Sequence, residues 1–192
     1  MSSKPRDAIR EIVQIKPRVG FWALSSVYGI ASGFFFAHFY SFGFSLSFPT
    51  IFVPLIGLGP LFGSLLLLFN AWLLRLVGYL FGGTAEYSHC LAAVTWSKVP
   101  YTITLLLWLF FLVQDPATVF LHVSSEASAL CIALVSIAVN FWSFLLLVQA
   151  FREIQSISLF KSLISTTLSS FFSFSFLYLL MFVSRFIYFF IF

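Results

Sequence analysis

Hydrophobic positions in this chain do not alternate with polar ones; they run together in long blocks. After Arg18 the next charged residue is Arg75, so 19–74 is an uncharged stretch interrupted only by the titratable His38. A membrane-spanning helix takes about 20 apolar residues, so this stretch holds two spans and must fold back once. Gly43, Pro49, Pro54, Gly57, Gly59 and Pro60 cluster between its halves. Helix breakers without charge predict the turn there. The first two spans are therefore expected near 21–40 and 61–81.

Further along, 99–114 offers only 16 uncharged residues. That is about 24 Å of helix against a hydrocarbon core of about 30 Å, so Lys98 is expected to snorkel at the boundary. A fourth block, 127–151, and a fifth, 162–184, are uncharged and long enough to cross. Barrel strands would alternate apolar and polar residues over about ten positions, and these blocks do not. The predicted fold is all-α: a five-helix transmembrane domain over 19–192, preceded by a charged segment, 1–18, outside the bilayer.

Short amphipathic helices are expected on the cytoplasmic face. In the N-terminal segment, Ile9, Ile12, Val13 and Lys16 recur at helical spacing after Pro5. Between Gly82 and Pro100, two glycines end span two and Thr84 can cap a new helix. Tyr87, Leu91 and Val94 then give that helix an apolar edge.

Charge fixes the expected orientation. Five crossings place Lys4, Arg6, Arg10, Lys16, Arg18, Lys98, Arg152 and Lys161 on one side, with Arg75 near it and Arg185 near the other. By the positive-inside rule the N-terminus is cytoplasmic and the C-terminus outside. The first apolar block is too long for a cleaved signal core, so an anchor is expected.

Composition agrees with this reading. Hydrophobic residues make up 61% and charged residues 8% of the chain, against about 25% charged in soluble domains. The 28 phenylalanines are read as coding-sequence bias before they are read as a binding signature. The net charge of +4 reflects topology, and no nucleic-acid motif accompanies it. Cys90 and Cys131 are expected as free thiols, and no spacing of Cys, His or carboxylates suggests a metal site or cofactor.

Residues that could carry function are few. Small residues recur every four positions at Ser25, Gly29, Gly33 and Ala37, at Gly59 and Gly63, and in the Ser158–Ser173 series. On span four, Ala133, Ser136, Asn140 and Ser143 follow one face at spacings of three and four. Close helix packing is the ordinary use of such faces, with a polar translocation path as the alternative. Asn70, Arg75 and Asn140 are the polar candidates at depth. Arg75 either reaches the inner headgroups or pairs with Glu86, Gln149 or Glu153. His38 is expected at an interface. All six acids fall in tails or connections, which leaves coupled transport without an intramembrane carboxylate. No nucleophile elbow or carboxylate-partnered histidine suggests an enzyme. Arg6, Arg10, Glu86, His89, Trp96 and Lys98 are the candidates for partner or headgroup contact on the cytoplasmic face.

Three blocks carry a resemblance: KPRDAIREIVQIKP before span one, WLLRLVGYLFGGTAEYSHCLAAVTWSKVPY, and NFWSFLLLVQAFREIQSISLFKSL. In these the chain resembles the bacterial branch of the Yip-one domain family, membrane proteins named for interaction with Ypt/Rab GTPases in eukaryotes. The resemblance implies five membrane helices and a cytoplasmic N-terminus. The long cytosolic region and the Asp-Leu-Tyr-Gly-Pro motif of the eukaryotic members are missing, so a Rab-type partner is not carried over. The expected function is non-enzymatic, in membrane organisation or protein interaction at the inner membrane. Its partners would be the bilayer, other membrane proteins or further copies of the chain. A small transporter or channel-like component is the alternative.

Overall fold

The computed structural model describes residues 20–44, 46–114, 116–121 and 126–191, with side chains placed through 179 except at 177. The chain is all-α. Its helices are α1 (Phe21–Phe39), α2 (Phe48–Leu80), α3 (Tyr87–Ser97), α4 (Tyr101–Gln114), α5 (Pro116–Phe120), α6 (Glu126–Gln155) and α7 (Leu159–Ile191), with a 3-10 turn at Phe42–Phe44 between the first two. The N-terminal segment that holds Arg6 and Arg10 lies outside the described residues.

The α1–α2 hairpin is the tightest contact in the bundle, and its small residues explain why. A Cβ placed on Gly29 would land on the carbonyl oxygen of Gly59, and one on Gly63 would land on that of Ser25. With hydrogen at these positions the two backbones touch directly, and Ser64 reaches across to donate to Ser25 Oγ at 3.1 Å.

Helix α2 begins thirteen residues earlier than 61, because the prolines do not end it. Pro49 sits in the first turn, where a backbone N–H has no partner in any helix. Pro54 and Pro60 lie inside the helix, which membrane helices tolerate where a neighbour packs against the segment. The connection shrinks to the few residues around Phe42–Phe44, where Ser41 takes a left-handed φ of 52°. At the other end the expected glycine stop is present: Gly82 has φ 83° and the Gly83 N–H bonds to Gly78 O at 3.0 Å.

Helix α3 differs most from expectation. It does not lie on the surface; Cys90, Ala92, Ala93, Val94, Thr95 and Ser97 are buried where it packs against α2 and α6. Its N-cap is Glu86 and not Thr84. After the break at Pro100 the chain continues into α4 with a bend of 41°. The third apolar segment is therefore a broken helix over 87–114, and the short 99–114 block is only its second half.

Helices α2 and α6 are each long and apolar enough to cross a membrane, and the α3–α4 pair meets the same test as one bent unit. Exposed Trp72, Leu76, Leu106, Val113, Ile137, Phe141 and Phe171 give the bundle an apolar perimeter. Two buried clusters hold the helices together. One joins Phe34, Ile51, Trp108, Phe111 and Phe120; the other joins Leu67, Ala71, Leu74, Cys90, Val94 and Phe151.

Candidate functional site

Several polar side chains from different helices line one cavity of about 370 Å³. Every long helix reaches it: Tyr28 from α1, Asn70 and Leu74 from α2, Val94 from α3, and Lys98 and Tyr101 from the α3–α4 break. Asn140, Ser143, Phe144 and Leu147 come from α6, and Ser169, Ser170, Ser173 and Phe174 from α7. The break is what puts Lys98 there. Pro100 cannot continue α3, so the chain turns, and the lysine at the C-cap projects into the bundle.

Lys98 is expected to snorkel outward, and instead it is half-buried and held from several sides. Its Nζ lies 5.0 Å from the centre of the Tyr28 ring and 5.3 Å from that of Tyr101. The two rings meet edge to face at 4.7 Å, so the ammonium rests on a preformed aromatic corner. Nζ also donates to Ser143 Oγ at 3.4 Å. Among the described residues, no ion pair joins Lys98 to a carboxylate, and no Asp or Glu lines the cavity.

The amides are fixed by their own helices. Asn70 Nδ2 donates to Leu66 O at 2.8 Å, and Asn140 Nδ2 to Ser136 O at 2.8 Å. Asn140 Oδ1 accepts from the Tyr101 hydroxyl at 2.8 Å, tying α6 to α4. Each amide keeps its second N–H for another partner. On α7 the serine series is buried at Ser162, Ser165, Ser169 and Ser173. Ser162 is used structurally, donating to Val148 O at 2.7 Å, whereas Ser169 and Ser173 face the cavity.

The remaining candidates do not form one surface. Glu86 is exposed at the start of α3, where Ser88 donates to its Oε2 at 3.4 Å. His89 is half-buried a turn further on. Trp96 packs beside Gly20 at the far end of the helix, with its Nε1 buried and unbonded among the described residues. Arg75 is exposed on α2. His38 is not at a surface: it is buried, its Nδ1 lies 2.9 Å from Thr118 O, and its ring packs on Trp108 at 5.3 Å.

One structural clamp of the fold gave no sequence signal. Gln155, at the end of α6, is buried and accepts from the Ala85 N–H at 2.9 Å, clamping the connection between α2 and α3. Cys90 is buried and Cys131 exposed, and neither is in a disulfide.

Long apolar helices with an apolar perimeter define an integral membrane bundle. The family model of the Yip1 domain matches residues 1–184, and the chain belongs to that family. No curated protein and no solved structure matches it.

Proposed function

We propose that the chain is a non-enzymatic, multi-pass protein of the cytoplasmic membrane that organises its surroundings by binding membrane components. In this reading it crosses five times, with α1, α2, α3–α4, α6 and α7 as the spans, the N-terminus cytoplasmic and the C-terminus outside. The observation that carries it is the match of the Yip1 domain over residues 1–184 to a bundle of long apolar helices.

Transport of a solute is the second reading. Its support is the central cavity, which Asn70, Asn140 and the α7 serines line together. Two sets of variants separate the readings once a partner or phenotype is in hand. Exchange of Arg6 and Arg10 for Gln, or of Glu86 and His89 for Ala, is expected to remove partner binding while insertion stays normal. If those variants stay active and Asn70→Leu with Asn140→Leu abolishes activity at normal expression, the transport reading takes its place. Co-purification from mild detergent, with identification of bound proteins and lipids, supplies the partner.

A further inference from the structure

We infer that the cavity at the α3–α4 break is a binding site for an anionic headgroup, a phosphate or carboxylate carried on a membrane lipid. The inference rests on the reading of the chain as a membrane-embedded bundle. Three observations lead to it.

The first is charge. Lys98 brings a cation into the interior, and the lining residues supply no carboxylate to neutralise it. Ion pairing is the usual compensation for a charge at depth. Tyr28 and Tyr101 supply only their ring faces. A bound anion would complete the pair.

The second is the hydrogen-bond inventory. Asn70 and Asn140 each have one N–H committed to a backbone carbonyl and one remaining. Ser143 accepts from Lys98, so its own proton is available. Together with Ser169 and Ser173 these groups are donors around the ammonium, which selects an anion over a cation or a purely apolar guest.

The third is access. Asn140 on α6 and Phe174 on α7 line the cavity and are also exposed, so its mouth lies between two helices of the apolar perimeter. Lys98 stands eleven residues into the bent helix, roughly 16 Å along it from its start. A ligand entering there comes through the lipid phase, with its acyl chains left against Phe174 and the neighbouring apolar helix faces. The volume is of headgroup size.

The test uses the full chain purified in mild detergent, with native mass spectrometry and thermal unfolding as readouts. Phosphatidylglycerol, phosphatidylcholine and free glycerol phosphate are the probes. The wild type is expected to retain anionic lipid and to melt higher when phosphatidylglycerol is added, with a much smaller response to phosphatidylcholine. Lys98→Met is expected to weaken the phosphatidylglycerol response roughly tenfold or more, while Lys161→Gln, at an exposed lysine, leaves it intact. Because Lys98 has no carboxylate partner among the described residues, Lys98→Met without added lipid is expected to melt at or above the wild type, which a merely structural lysine would not do. If Lys98→Met fails to fold, Ser143→Ala with Ser173→Ala is read in its place and is expected to lower the response in the same direction. Equal protection by glycerol phosphate would overturn the lipid source and point to a soluble anion. An unchanged phosphatidylglycerol response in the variants, or none in the wild type, would overturn the site itself. Topology reporters on the same variants keep this separate from the embedded-bundle reading, which fails only if the crossings are not observed.

Discussion

At Gly29 and Gly33 the same residue type, one turn apart on one helix, makes different demands. A methyl group on Gly29 meets backbone atoms of Gly59 and Gly63, which cannot move without separating α1 from α2. At Gly33 it meets the Leu55 side chain at 3.2 Å, and that chain can shift. Gly29→Ala is therefore expected to lower stability by about 1–3 kcal/mol through overpacking. Gly33→Ala should be near neutral, because the better helix propensity of alanine, up to about 1 kcal/mol, offsets the small displacement. Thermal melts in detergent check both, and equal losses would show that the contact is not the one described. Gln155→Ala leaves the Ala85 N–H without its acceptor, with an expected cost of about 1–3 kcal/mol in the same assay. The glycine stripe was legible in the sequence, since small residues at four-residue spacing have one ordinary use. Gln155 was not, because its partner lies seventy positions away and glutamine at a helix end reads as solvated.

Among the elements, the glycine stop of α2 and the break at Pro100 could be read directly, because both are local backbone effects. The start of α2 could not. Pro54 and Pro60 count as breakers under rules learned in water, where no packed neighbour supports the helix around them. Helix α3 misled for a related reason: Glu86, Ser88, His89 and Lys98 suggest a surface, while the face that packs is made of Cys90, Ala92 and Ala93, whose hydropathy is modest. The convergence of five segments on Lys98 is a tertiary fact with no local trace. The burial of α3 has a direct readout in the two cysteines. Cys131 is expected to react with a membrane-permeant maleimide in the folded protein, while Cys90 reacts only after denaturation. Comparable labelling of both in the native state would return α3 to the surface.

For the whole molecule, charge asymmetry and the bent third span make one joint prediction. Reporters fused after Ser124 and after Phe192 are expected outside, and those after Gln155 in the cytoplasm. A cytoplasmic signal at Ser124 would mean that the α3–α4 unit turns back. The long apolar helices were legible from uncharged blocks; how they differ in length was not, and that difference has a consequence for the lipid around them. Helix α1 has 19 residues and its hairpin partner α2 has 33, about 28 Å beside about 50 Å. Even the uncharged part of α2, 48–74, is about 40 Å long, while the hydrocarbon it sits in is about 30 Å thick. The Gly29–Gly59 contact locks the two helices together, so α2 cannot lean freely to shorten its projection. Hydrophobic mismatch then falls partly on the bilayer, which must thicken or bow along the α2 side at fractions of a kcal/mol per Å. Reconstituted in bilayers of graded acyl length, the protein is expected to be most stable in the longer chains and to gather them about itself, so that its elastic imprint on the membrane is itself a way of sorting lipids.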